Sequence, residues 1–230
     1  MNQTDIVKKE LLEHQDLKFQ AFSAKLMPEI DSKTVLGVRM PVLREMARTM
    51  DEETKTAFLN EVPHQWHEEN LLHILLINAM KDSPAAWQAY LQLQPCIRTW
   101  ALTDTLTLKA LGDNQLLQES LKMLESSSSW IRRQAVIWII KRGLKKDQTL
   151  DLVRQALAVP SAEREVRLAL GWMLCEGLCQ NRDVFLPFLL EEDIDLQVFR
   201  TALSKCRDSR RVSRQDVQLL KERLFLLQKR

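Results

Sequence analysis

Apolar residues recur at helical spacing in segment after segment of this chain, and no stretch alternates apolar with polar for long enough to make a strand. Leu71, Leu72, Leu75 and Leu76 show the pattern, as do Leu116, Leu117, Leu121 and Leu124, and later Val166, Leu170, Trp172 and Leu174. Turn-formers are as scarce as strands. Only 5 Gly and 7 Pro occur in 230 residues, and a background rich in Leu, Ala, Glu, Lys, Arg and Gln favours helices joined by short connections. The chain is therefore constrained to an all-α fold. With 45% hydrophobic residues it can bury a substantial core without disulfide or metal staples.

The breaks between periodic segments place the helices. The first runs from Thr4 to Leu26, with His14 to Leu17 as the place where it can break, and leads through Pro28 and Asp31-Ser32-Lys33 to a turn at Gly37. Pro41 suits the first turn of a helix ending at Thr49, because the N–H that proline lacks has no helical partner there. Further helices are expected over Glu52 to Asn60, His67 to Met80, Pro84 to Gln92, Ile97 to Ala110, Asn114 to Leu124 and Ser129 to Lys141. The C-terminal part adds Lys146 to Ala158, Ala162 to Leu178, Arg182 to Leu190, Leu196 to Cys206 and Arg214 to Leu227. About twelve or thirteen helices with connections of about two to six residues imply antiparallel neighbours. Stacked at a repeat of about 35 to 45 residues, such pairs predict a curved α-solenoid, one helical-repeat domain over residues 1–230. No crisp consensus repeat is visible, so a non-repetitive helical bundle is the alternative. Ser126 to Ser129 reads as a hinge loop in which Ser129 caps the helix carrying Trp130.

Several function classes are disfavoured. Cys96, Cys175, Cys179 and Cys206 show no CxxC spacing, and the first residues carry neither a basic nor an apolar targeting segment, so a reducing, cytoplasmic location is expected. Apolar runs break before about 18 residues, which argues against a membrane span. His64, His67 and His73 lie close in sequence to Glu68 and Glu69, but Leu71 stands where HExxH chemistry needs its second histidine, and no metal is expected. Glu69 reads instead as an ion-pair partner within the scaffold. The net charge is only +2, yet basic residues gather at Arg132-Arg133, Lys141-Arg142, Lys145-Lys146 and between Lys205 and Arg214. The last stretch sets Lys205, Arg207, Arg210, Arg211 and Arg214 against Asp208, which suits either a phosphate track or a solvated helix face.

Trp100-Ala101-Leu102-Thr103-Asp104 carries the sharpest chemical signal. On a helix it sets an aromatic face and a carboxylate four residues apart, on one side. Trp130 beside Arg132 and Arg133, and Trp172 near Arg167, repeat the association of indole with charge. Each tryptophan taken singly is explained as well by core or rim packing.

Leu36-Gly37-Val38-Arg39-Met40-Pro41 with Arg44, His67-Glu68-Glu69-Asn70, Trp100-xxx-Asp104, Trp130-xx-Arg133-x-Ala135, Ala169-x-Gly171-Trp172 and Asp208-Ser209-Arg210-Arg211-Val212-Ser213 follow one another in a distinctive order. Together they resemble the DNA alkylation-repair family of HEAT-like DNA glycosylases, from about Leu36 to Ser213. The resemblance implies tandem antiparallel helix pairs with a concave basic face on duplex DNA. It also implies excision of positively charged N3- or N7-alkylated purines with no metal or organic cofactor, the base staying largely stacked rather than flipped. By this resemblance Trp100 and Asp104 match the aromatic and acidic pair at the lesion, Arg133 a backbone-contacting base, and Trp172 a second aromatic wall. Asp104, Trp100 and Trp172 are thus the expected catalytic residues, and Arg133, Arg132, Arg39, Arg44, Arg210 and Arg211 the expected DNA-binding ones. Surface salt bridges explain Arg39 and Arg44 equally well. The expected partner is duplex DNA bearing alkylated purines, bound by a monomer. A non-catalytic DNA-binding relative and a protein-interaction scaffold are the alternatives.

The chemistry is coherent on its own terms. A cationic alkylpurine is already a good leaving group, so the charge developing on the sugar is what needs stabilising. A carboxylate such as Asp104 can do this and hold the attacking water. Indole faces add cation–π attraction of about 0.5 to 2 kcal/mol, and an arginine fork on phosphate sets the register.

Overall fold

The computed structural model describes residues 3–144 and 149–229, and the described residues are helical with no strand. The helices are α1 (Gln3–Glu13), α2 (Leu17–Leu26), α3 (Met40–Thr49), α4 (Glu52–Asn60), α5 (His67–Ala79), α6 (Ser83–Leu93) and α7 (Trp100–Thr105). They continue with α8 (Asp113–Met123), α9 (Ser129–Arg142), α10 (Thr149–Leu157), α11 (Arg164–Gln180), α12 (Arg182–Glu191), α13 (Leu196–Asp208) and α14 (Arg214–Leu227). Two 3₁₀ turns, Ser32–Thr34 and Gln94–Cys96, complete the described elements. The helices pack as stacked pairs in two compact units, Met1–Gly112 and Asp113–Arg230. No described helix is long and apolar enough to cross a membrane.

In the first unit α5 is the hub, packing against α3, α4, α6 and α7, while α1 lies against α4. Its sequence has no polar stripe, as a helix buried on every side requires, and Leu72, Ile74 and Ile77 are fully enclosed. Each such side chain contributes about 1.5 to 3 kcal/mol through burial. The polar residues of α5 are held by specific partners. His73 Nδ1 lies 2.8 Å from His64 Nε2, and the His64 ring stacks on Phe58 with centroids 4.6 Å apart. In the second unit α9 and α11 take the central place, α9 against α8 and α11, and α11 against α9, α12 and α13. Every residue of α9 from Arg132 to Ile140 is buried.

Side-chain caps mark where several helices begin. Asp16 Oδ1 accepts from the amides of Lys18 and Phe19, which starts α2 and splits the long N-terminal helix that the spacing allows. Asp51, Thr99, Asp195 and Ser213 cap α4, α7, α13 and α14 in the same manner. Two expectations are corrected. The helix expected over Ile97 to Ala110 contracts to Trp100–Thr105, because Asn78 of α5 captures its end: Nδ2 donates to the Thr105 carbonyl at 2.9 Å, and Oδ1 accepts from Thr107 N at 2.8 Å and Leu108 N at 3.0 Å. Ser129 does not cap α9. Its hydroxyl donates to Glu165 Oε1 and the capping position falls to Ser128. Lys145-Lys146, and with them the expected start of a helix at Lys146, lie outside the described residues.

Gly37 sits where no other residue fits. Its φ of +83° lies in the left-handed region, and a Cβ there would stand 2.4 Å from the Asp16 carbonyl oxygen and 2.5 Å from Gln20 N. Both obstacles are backbone at the start of α2. Gly37→Ala is therefore expected to cost at least about 2 kcal/mol, from the left-handed conformation plus the displaced helix. Urea unfolding followed by circular dichroism checks it, and a variant with an unchanged midpoint would show that the Leu36–Val38 segment does not bear on α2.

Candidate functional site

Thr99 places the central residues of the site. Its hydroxyl accepts from Leu102 N at 3.3 Å, so α7 begins at Trp100 and carries Asp104 one turn later. Trp100 is 40% exposed although large and apolar, and its Nε1 donates to the Leu26 carbonyl at 3.0 Å. The indole N–H is thereby satisfied at the end of α2, and what the ring offers outward is π surface. Asp104 is half-buried, and the Thr103 hydroxyl lies 3.2 Å from its Oδ1. Both residues line a cavity of 290 Å³ within the first unit. Phe19, Phe22 and Leu26 of α2 form one wall, Val38 and Met40 another, and His67 and Glu68 of α5 border it from the core side.

Glu68 ties the cavity to the scaffold. Its two carboxylate oxygens accept from Leu36 N at 2.9 Å and Gly37 N at 2.7 Å, pinning the Leu36–Val38 segment to α5. Burial raises its pKa even against these hydrogen bonds, which favour the charged form. Glu69 departs from expectation: rather than an ion pair, its Oε2 takes backbone amides, accepting from Trp66 N at 2.8 Å and Gln65 N at 2.9 Å. It closes the first turn of α5, where a carboxylate meets the unpaired amides. His67 is 5% exposed. It also borders a second cavity of 560 Å³ reached by Asn70, Arg98 and Thr99. Among the described residues no group of three or more His, Cys, Asp or Glu is arranged to hold a metal ion.

Five of the six arginines expected to meet DNA divide into three situations. Arg39 is exposed but engaged, with Nη2 2.8 Å from Asp16 Oδ2 and its guanidinium 4.5 Å from the Phe19 ring centroid. Arg44 and Arg210 are exposed with no ion-pair partner among the described residues. Arg132 and Arg133 are both 5% exposed. Arg132 bonds Glu163 at 2.7 Å and the carbonyls of Ser126 and Ser127 at 2.7 and 3.1 Å, so its guanidinium holds the serine loop. Arg133 Nη1 donates to the Glu165 carbonyl at 2.9 Å, at the start of α11. Lone surface arginines would not show this burial, and the apolar run Ala135 to Ile140 is the signal that α9 is a core helix.

Trp172 belongs to an arrangement that sequence reasoning missed. One turn on from it, Glu176 accepts from Arg211 Nη1 at 3.0 Å and Nη2 at 2.5 Å and from Gln180 Nε2 at 2.9 Å. The Arg211 bonds, followed by contacts from Gln180 and Trp172, hold the Glu176 carboxyl below its ordinary range. Arg211 is thus anchored to α11 beside Trp172. The readable signal is spacing: Trp172-xxx-Glu176 repeats the Trp100-xxx-Asp104 pattern. Gly171 beside it lets α11 approach α13, since a Cβ would meet Thr201 Cγ2 at 2.5 Å. In the first unit the structure brings Trp100 and Asp104 together at one cavity, and in the second it pairs Arg211 with Glu176, one helical turn from Trp172.

The profile of the DNA alkylation repair enzyme family matches residues 7–205. The chain belongs to this family. No curated protein matched it in a sequence comparison. Membership in the DNA alkylation repair family connects the chain to the repair of alkylated DNA, and the match spans both Trp-xxx-acid pairs.

Burial holds the His67 ring neutral, with its pKa lowered from 6.5 to about 4, and holds His64 at about 4 and His73 at about 3. As pH falls, the unfolded chain takes up these protons first. The stability contributed by the neutral rings is complete above pH 6.5 and is lost progressively toward pH 4. Glu68 and Glu69, raised by burial, act in the opposite sense above 4.5. His67→Gln is expected to flatten the fall in stability between pH 6.5 and 4 by about 1.4 kcal/mol per pH unit, one proton's worth. Urea titrations at stepped pH measure the slope, and NMR of the imidazole should show His67 neutral down to about pH 4.

Proposed function

We propose that this protein is a DNA glycosylase that hydrolyses the N-glycosidic bond of positively charged N3- or N7-alkylated purines in duplex DNA. The observation that carries the reading is the pairing of a half-exposed, hydrogen-bonded Trp100 with Asp104 at the rim of one cavity, in a chain of the DNA alkylation repair family. The reaction balances without outside reagents. The bond from C1′ to the purine nitrogen breaks with its electron pair going to the base, which leaves neutral. Water attacks C1′, its proton passes to Asp104 or solvent, and an abasic site remains.

Within this reading each group has a defined task. Asp104 stabilises the cationic character that grows on the sugar and orients the water. Trp100 and Trp172 present π faces to positive charge. Exposed Arg44 and Arg210 are the arginines best able to meet phosphates. Arg133 acts by holding the start of α11 through the Glu165 carbonyl. The reading extends to a HEAT-like repeat architecture, action as a monomer and a reaction that needs neither metal nor organic cofactor.

Incubating the protein with duplexes carrying N7-methylguanine or N3-methyladenine, corrected for spontaneous depurination, tests the reaction directly. Asp104→Asn is expected to lower excision by about 10²-fold or more while leaving duplex affinity within a few-fold. Full excision by that variant removes Asp104 from the mechanism. Binding without excision by the wild-type protein replaces the enzyme with a non-catalytic DNA-binding protein.

A further inference from the structure

Arg211 is held in one place although it lies at the surface, and the informative part is the edge it leaves open. Its Nη1 and Nη2 donate to the two carboxylate oxygens of Glu176, at 3.0 and 2.5 Å. Arg39, Arg48, Arg154 and Arg182 meet their carboxylates through Nε and Nη2 instead. A guanidinium carries its N–H groups as an end fork of Nη1 and Nη2 and a side fork of Nε and Nη2. In those arginines the carboxylate fills the side fork. In Arg211 it fills the end fork, and Nε makes no hydrogen bond among the described residues. Nη2 carries two hydrogens, so one serves Glu176 while the other still points with the Nε–H. Two parallel donors at that spacing match two oxygens of a phosphate.

The tether is built from both sides. The Glu176 side chain is 16% exposed and its Oε1 also accepts from Gln180 Nε2 at 2.9 Å, which fixes the carboxylate on α11. Arg211 N donates to Ser209 Oγ at 3.2 Å, and Ser209 N donates to the Lys205 carbonyl at 3.0 Å, where α13 ends. The Arg211 side chain is nonetheless 58% exposed. An ion pair so open to water contributes little to stability, so folding alone does not account for its ordering. An arginine ordered in advance does lose less freedom when it binds a ligand. Around it Arg207, Arg210 and Arg214 are exposed with no ion-pair partner among the described residues, and Asp208 is the one acid between Lys205 and Arg214. Such a surplus of positive charge along a short stretch favours a polyanion over a single small anion.

We propose that the side fork of Arg211 receives a backbone phosphate of the duplex, and that Glu176 is the positioning residue that aims it, one helical turn from Trp172. The proposal rests on the duplex-binding part of the glycosylase reading and deepens it. Glu176 is then a carboxylate that repels DNA by its own charge yet strengthens binding through the arginine it holds. A contact of this kind fixes register on the duplex without reading its sequence.

Fluorescence anisotropy of a labelled duplex, titrated with the full chain at stepped salt, tests it. Arg211→Ala is expected to weaken binding and to reduce the slope of log K against log salt by about 0.9, the contribution of one phosphate. Arg211→Lys is expected to lose most of the affinity as well, because an ammonium bonded to Glu176 has no second fork to offer. Arg211 is exposed, so its replacement leaves the core intact. Glu176→Gln is expected to weaken binding about three-fold or more, whereas neutralising a carboxylate that only repelled phosphate would tighten it. In the Arg211→Ala background Glu176→Gln no longer weakens binding, since its effect runs through the arginine. An unchanged slope in Arg211→Ala, full affinity in Arg211→Lys, or tighter binding by Glu176→Gln with Arg211 in place overturns the proposal. Excision of N7-methylguanine separates it from the glycosylase reading. Excision with an unchanged slope in Arg211→Ala keeps the glycosylase and discards the phosphate receptor, whereas a reduced slope without excision by the wild-type protein keeps the receptor and discards the hydrolysis.

Discussion

Two backbone amides bound to one buried carboxylate hold the candidate site together. Glu68 accepts from Leu36 and Gly37, and that clasp joins the hub helix α5 to an extended segment that would otherwise have nothing to pair with. The segment in turn presses on the start of α2 at Gly37 and presents Arg39 to Asp16, the residue that caps α2. The aromatic wall of the cavity, Phe19 and Phe22, therefore stands where it does because of a carboxylate on a different helix. Burying Glu68 carries a desolvation cost, visible in its raised pKa, which the two hydrogen bonds offset.

The second unit uses charge differently. Arg132 and Arg133 lie in a helix that is buried on all sides, and both are spent on carbonyls and a carboxylate around the serine loop and the start of α11. A guanidinium suits this task because its planar fork satisfies several acceptors at once in fixed geometry. Removing one would strand the acceptors it serves, so the pair acts as a structural clamp. On α11 the same economy lets a single carboxylate, Glu176, hold Gln180 and anchor the surface arginine Arg211.

Much of the helical order was legible in the sequence. Spacing, proline placement and polar breaks located α3, α4, α5, α12, α13 and α14 to within a residue or two, because amphipathic periodicity and capping are local properties. The shortened α7 was not legible. Its end is decided by Asn78, 27 residues away, through hydrogen bonds that no local pattern announces. The site was legible in part. Trp100 and Asp104 were readable as a pair because four residues make one helical turn, and the same rule applied to Trp172 would have found Glu176. The separate fates of Arg39, Arg44, Arg132, Arg133, Arg210 and Arg211 were not readable, since a basic residue looks alike on a surface and in a clamp.

The sequence by itself determined an all-α chain, its helix order and the Trp-xxx-acid spacing, because these follow from interactions within one or two helical turns. Tertiary structure alone decided which polar groups are buried and what they hold. It placed Phe22 at one cavity with Trp100 and Asp104, buried His67 at its border, and moved Arg132 inside. Those outcomes depend on contacts between residues tens of positions apart, where burial and hydrogen-bond satisfaction are settled by packing rather than by neighbours in the chain.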